Sequence, residues 1–212
     1  MCIRDSPWYG PMDMQSLYAM VRDARPDRVL ELGSGFSSLV IDRALADGER
    51  GAAAGQAEHI VVDPFPSPVL EHLRPSARVR VESAAEVDGG LFERLEPGDV
   101  LFVDTSHVVR PGGEVTRVVL ELLPRLAAGV LIHFHDIFLP YPYPRILYDR
   151  YNVHWQEQYL LAAFLAFNPR FAVRLSNHAL WRAWPEWAKA TFRGLEDGME
   201  PSAFWFVRTP VA

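Results

Sequence analysis

Six side chains able to move protons or bind cations sit in two short stretches of this sequence. Val103-Asp-Thr-Ser-His107 carries Asp104, Ser106 and His107, and Ile132-His-Phe-His-Asp136 carries His133, His135 and Asp136. Imidazole titrates nearest to neutral pH, so His107 or His135 is a candidate general base. Carboxylates beside imidazoles also make a divalent-cation set, here Asp104, His135 and Asp136, in which nitrogen favours a softer metal than magnesium. Along an extended chain His133 and His135 share one face and Asp136 takes the other, so His135 and Asp136 converge only where the strand turns. His133 is expected to be a hydrogen-bonded core histidine.

A second group is suited to binding. In Glu31-Leu-Gly-Ser-Gly-Phe-Ser-Ser38, Gly33 and Gly35 permit a tight turn and close approach of a ligand to the backbone. Glu31 is a carboxylate inside an apolar run and needs a partner, which a cationic ligand or the turn amides would supply. Asp63 closes the next apolar run, where a carboxylate can accept both hydroxyls of a ribose. A turn aspartate before Pro64 is the plainer alternative.

These residues need a scaffold that brings strand ends together. Arg28–Leu32, His59–Asp63, Ala77–Glu82, Asp99–Asp104, Gly129–His133, Phe171–Leu175 and Ala203–Val207 read as strands. Helical spacing falls between them: Met14, Leu17, Tyr18 and Val21 after an N-cap at Asp13, then Val40 to Leu45, then Val115 to Leu126. Alternating strands and helices imply right-handed crossovers and an α/β, doubly wound parallel sheet. Uninterrupted apolar runs place the central strands under cover on both faces, while the alternating 77–82 run belongs nearer an edge. Ligands bind beyond the carboxyl ends of such strands, where the polar residues of both groups fall.

The chain has 212 residues, one cysteine and a formal charge of −6. A lone Cys2 excludes an internal disulfide framework and suits a reducing compartment, so the cytoplasm is the expected location. The acidic balance argues against nucleic acid as a partner. The longest apolar run, Tyr159 to Phe167, is too short to span a membrane. Residues 1–8 match nothing that follows and are expected to be a non-native or disordered leader. The small-residue stretch Gly51 to Gly55 reads as an insertion.

Taken together, Glu31-Leu-Gly-Ser-Gly-Phe-Ser-Ser, Val103-Asp-Thr-Ser-His and Ile132-His-Phe-His-Asp-Ile-Phe-Leu-Pro140 resemble the motifs of class I S-adenosylmethionine-dependent methyltransferases. The closer resemblance is to the bacterial branch grouped as methyltransferase family 24. It implies a Rossmann-like seven-stranded sheet of order 3-2-1-4-5-7-6 with strand 7 antiparallel, in one domain over 9–212. It also implies S-adenosylmethionine as cofactor, held by Glu31, Gly33, Ser34, Gly35, Ser37, Asp63 and Asp104, with Ser83 and Ala84 bordering the adenine. His107, His135 and Asp136 would be catalytic. Ser37 stands where many relatives carry a third glycine.

The expected reaction is O-methylation of a sugar or small-metabolite hydroxyl. Residues 138–155, with Tyr141, Tyr143, Tyr148 and Tyr151 among three prolines, read as a loop over the site. Trp181, Trp184 and Trp187 are expected to form a packing stripe interrupted at Pro185. A nicotinamide-dependent oxidoreductase, a metal-dependent hydrolase and a non-catalytic cofactor-binding protein remain as alternatives. A homo-oligomer stays open.

Overall fold

The computed structural model describes residues 9–48 and 57–210. The leader at 1–8 and the Gly51–Gly55 stretch lie outside the described residues. All seven expected strands form: β1 Arg28–Leu32, β2 Glu58–Val62, β3 Arg78–Arg80, β4 Val100–Val103, β5 Leu131–Phe134, β6 Phe171–Ser176 and β7 Phe204–Arg208. They make one sheet of order β3-β2-β1-β4-β5-β7-β6. β7 runs antiparallel to both β5 and β6, and the other pairings are parallel. The fold is α/β and Rossmann-like, with β3 at one edge and exposed at every residue.

Side chains alternate across the sheet and fill a core on each face. Leu30, Leu32, Leu101, Val103, Ile132 and Phe134 face the helical stretch α4 Glu114–Arg117, which continues through a π turn at Val118–Leu122 and a 3₁₀ turn at Leu123–Arg125. α3 Gly90–Glu93 and α6 Glu157–Leu165 join that layer. Val29, Val100, Phe102 and Trp205 face α1 Pro11–Ala24 and α2 Phe36–Gly48. Residues of β1 and β4 are covered on both sides, which explains their unbroken apolar runs.

Three expectations change. α1 starts at Pro11 with Gly10 as its N-cap, because proline needs no N–H partner at a helix start. Asp13 therefore lies within the first turn, buried rather than capping. The tryptophan stripe does not form: Trp184 and Trp187 are 61% and 48% exposed, and Pro185 begins a new helix, α8 Pro185–Thr191, after α7 Asn177–Ala183. The segment 138–155 contains a short helix, α5 Arg145–Asp149, and is not wholly irregular.

Candidate functional site

The turn after β1 is fixed from beneath. Glu31 is fully buried, and the hydroxyls of Ser37 and Ser38 each donate to its Oε1 at 2.9 Å. Its Oε2 lies 2.8 Å from His59 Nε2. The carboxylate thus finds its partners inside the protein and shapes the loop, where the sequence invited a cationic ligand. Ser37, in the place of a third glycine, is committed to the same bond. Gly33 has φ +87°, and a Cβ there would stand 1.7 Å from the Asp104 carbonyl oxygen. Gly35 lies outside the positive-φ region, and among the described residues nothing lies within 4 Å of where its Cβ would be. The space in front of the loop is open.

Asp63 follows β2 and receives the Ser34 hydroxyl at 2.6 Å and the Phe65 N–H at 2.7 Å. It stays partly exposed, and an ionised carboxylate has acceptor capacity beyond two bonds. Ser83 accepts from the Ala85 N–H at 3.1 Å. Ala84 is buried in the core below, so its side chain is packing rather than lining.

The exits of β4 and β5 do meet. His107 Nε2 lies 3.4 Å from Asp104 Oδ1 and 3.6 Å from Asp136 Oδ2. His107 and Asp136 both adopt positive φ, +58° and +55°. That left-handed step at Asp136 returns its carboxylate to the side of His135, whose Nδ1 is 3.6 Å from both Asp136 Oδ1 and Asp104 Oδ2. Ligand atoms of Asp104, His107 and Asp136 lie within 4.8 Å of one another, so His107 takes the place that the sequence gave to His135 in the cation set.

A family model described as a methyltransferase domain, methyltransferase family 24, matches residues 30–137, just over half of the chain. The chain belongs to that family. No curated protein matches this methyltransferase. Among solved structures it is similar to the O-methyltransferase from Bacillus cereus in complex with S-adenosylhomocysteine, at 15% identity and TM-score 0.55, over 96% of this chain and 82% of that one. It is also similar to TomG from Streptomyces achromogenes, an O-methyltransferase involved in tomaymycin synthesis and solved with S-adenosylmethionine. There the identity is 14% and the TM-score 0.57, over 93% and 79% of the two chains. The plantazolicin methyltransferase BpumL, in complex with a triazolic analogue and S-adenosylhomocysteine, gives 13% identity and TM-score 0.58 over 98% and 87%. At these identities the likeness is one of fold.

In this methyltransferase the strand-end residues are gripped by a tier that sequence reading missed. Glu157, in the first turn of α6 and buried, lies 2.7 Å from His107 Nδ1. Trp155 packs on the same imidazole at 4.4 Å between ring centres. Asp13 accepts from Asn177 Nδ2 at 2.7 Å and from the Ser202 and Ala203 N–H groups at 2.8 and 2.9 Å. Its Oδ2 lies 3.7 Å from His135 Nε2, and Tyr9 stacks on that ring at 4.6 Å. Ser202 donates to Asp136 Oδ1 at 3.0 Å.

Burial would raise the Asp104 carboxyl, but His135 and His107 overcome it and hold Asp104 at about 2. Burial would likewise lower His135, yet Asp136, Asp104 and Asp13 lift it to about 9. His107 is raised above its ordinary value, against burial, by hydrogen bonds to Asp104 and Glu157. Asp13 is lowered, since His135 and Asn177 outweigh its burial. His133 goes the other way. It stacks on Phe102 at 4.4 Å, neither ring nitrogen has a partner among the described residues, and burial followed by the charge on His135 takes it down to about 3. It is a core histidine without the expected hydrogen bond.

Proposed function

We propose that the chain is an S-adenosylmethionine-dependent O-methyltransferase acting on a hydroxyl of a small acceptor. The observation that carries this reading is the juxtaposition of an open glycine turn after β1 with two carboxylates and an imidazole at the neighbouring exits of β4 and β5. The residues fit the cofactor. Gly35 leaves room for close approach, Asp63 and Ser34 would offer acceptors to a ribose, and Ser83 would border the adenine. A surplus of carboxylates over imidazoles at Asp13, Asp104, Asp136 and Glu157 suits a cation. When bound, S-adenosylmethionine supplies an electrophilic methyl group on a sulfonium.

His135 is an imidazolium locked between three carboxylates and under Tyr9, so it positions Asp104 and Asp136 and does not take up protons. His107 is the base. Glu157 holds its Nδ1–H and leaves Nε2 facing the partly exposed carboxylates of Asp104 and Asp136, as an acid orients a catalytic histidine elsewhere. The surrounding carboxylates raise His107, and the positive charge of a bound sulfonium would act in the opposite direction. His107 would serve as base in its neutral form, once its Nε2 proton has passed to solvent, and Nε2 would then accept the hydroxyl proton. Alignment of the acceptor and removal of its proton are the work left to the protein.

A second reading rests on the closeness of the Asp104, His107 and Asp136 ligand atoms. Two carboxylates and one nitrogen suit a divalent cation, and Glu157 behind Nδ1 is the outer support such a ligand uses. A bound cation would lower the pKa of the acceptor hydroxyl directly. Titration with S-adenosylhomocysteine against NAD tests the main reading. Micromolar binding of the first and none of the second is expected, and the reverse would overturn it. Loss of turnover with chelator and its return with divalent metal would favour the second reading over His107 as free base.

A further inference from the structure

We propose that the acceptor is an apolar, ring-bearing hydroxyl compound of the phenol type, seated in a cleft between the start of α1, residues 138–155 and residues 195–202. The inference rests on the methyltransferase reading of the site and narrows its acceptor. The cleft measures about 590 Å³, within the range of pockets that enclose a small organic molecule. Its inner end is formed by Asp136, Ser202 and Asp13, the far side of the cluster that holds His107 and His135. A hydroxyl reaching that end meets Asp136, and His107 lies behind it.

The walls are apolar where a sugar would need polar partners. Met12 and Leu195 lie buried beneath it, while Ile146 and Met199 remain 47% and 39% exposed along it. Trp155, also in the wall, packs on His107 and carries the apolar surface up to the reacting group. The polar groups at the inner end are already engaged: the Ser202 hydroxyl by Asp136, and Asp13 by three donors. The charged lining residues Arg145 and Glu200 are both exposed. A sugar brought here would lose water from its hydroxyls without a matching set of partners, which is costly. A flat apolar body would cover Ile146, Met199 and Trp155 and gain from their removal from water. In the reaction the acceptor oxygen gains the methyl group, the sulfur keeps the bonding pair as a neutral thioether, and the hydroxyl proton passes to Nε2 of His107, which has first given up its own Nε2 proton to solvent.

The test uses the full chain saturated with S-adenosylhomocysteine and measures binding of naphthol and of methyl glucoside by calorimetry. Naphthol is expected to bind and the glucoside to show no heat. Ile146→Asp and Met199→Asp, both at exposed positions, should weaken naphthol by about tenfold or more with S-adenosylhomocysteine affinity unchanged. Glucoside binding as tight as naphthol, or naphthol affinity unaltered in both variants, overturns the inference. If S-adenosylhomocysteine binds and naphthol does not, the acceptor class alone is wrong. If S-adenosylhomocysteine itself fails to bind, the methyltransferase reading falls and takes the inference with it.

Discussion

Gly33 and Gly35 are two residues apart in one turn, yet an alanine should act oppositely at each. At Gly33 the new Cβ would stand 1.7 Å from the Asp104 carbonyl oxygen and 2.8 Å from its carbon. Those are backbone atoms, tied to β1 by the Asp104 N–H donating to the Leu32 carbonyl at 2.8 Å, so no side chain can swing aside. The φ of +87° adds a second penalty. A left-handed conformation costs an L residue roughly 1–2 kcal/mol, and overpacking a tight site roughly 1–3, so Gly33→Ala should lose about 2–5 kcal/mol. For a chain of this size that lowers Tm by about 5–20 °C. Gly35 has ordinary φ and open space, so Gly35→Ala should change stability by no more than about 1 kcal/mol. Its methyl group instead occupies the ground that the ligand needs, and S-adenosylhomocysteine affinity should fall about tenfold or more. Thermal scans and calorimetric titration of both variants decide the matter. A Gly33→Ala protein that melts with the parent would refute the close approach of the two strand exits. A Gly35→Ala protein that binds S-adenosylhomocysteine normally would move the cradle elsewhere.

Asp63→Ala should weaken S-adenosylhomocysteine by about 1.5–3 kcal/mol, the scale of hydrogen bonds to a charged group, and calorimetry will show whether it does. Glu157→Gln should lower kcat by about 10–100-fold with cofactor affinity unchanged, because His107 exchanges a charged carboxylate partner for a neutral amide; an unchanged kcat would remove Glu157 from the mechanism. His133 makes the fold sensitive to acid. Its folded pKa of about 3 lies below the unfolded value, so below about pH 6.5 the unfolded chain takes a proton that the folded one refuses, and stability falls as pH falls toward 3. At pH 5 the loss is about 2 kcal/mol relative to pH 8, and His133→Phe should abolish that part of the slope in denaturant titrations at the two pH values. Equal slopes in variant and parent would mean that His133 is protonated in the fold.

The strands were legible because burial on both faces writes itself as an unbroken apolar run, as in Val100–Val103 and Val29–Leu32. Their exits were legible too, since polar residues follow each run and the fold puts its ligands there. The strand order came with the family resemblance; apolar pattern alone does not say which strand neighbours which. Glu31 was legible as a carboxylate in need of a partner, but the partner was not. Ser37 and Ser38 are close in sequence and looked like part of a ligand loop, whereas the third contact, His59, arrives from β2 at a distance of 28 residues. The π turn at Val118–Leu122 leaves the apolar face of its helix intact, so the periodicity of Val115 to Leu126 read as one regular helix.

The two acids that escaped sequence reading, Asp13 and Glu157, share a position: each lies in the first turn of a helix. An acid there already has a local explanation, because the helix N-terminus carries partial positive charge and free N–H groups. Asp13 looked like a cap, and Glu157 stands just before the apolar run Tyr159 to Phe167, which the sequence reading weighed only for its length. Burial separates the two cases. A carboxylate that serves only the helix end stays in water, but Asp13 and Glu157 are 2% and 1% exposed. A buried carboxylate must be answered by donors from elsewhere. The donors here are Asn177, Ser202 and Ala203 for Asp13, and His107 for Glu157, each far off in sequence. No local period encodes such pairs, since they arise only when the helix start is laid against the carboxyl end of the sheet. The same placement gives the pairs their use. α1 and α6 both begin beside the exits of β4 and β5, so their first-turn acids set the charge and the orientation of His135 and His107.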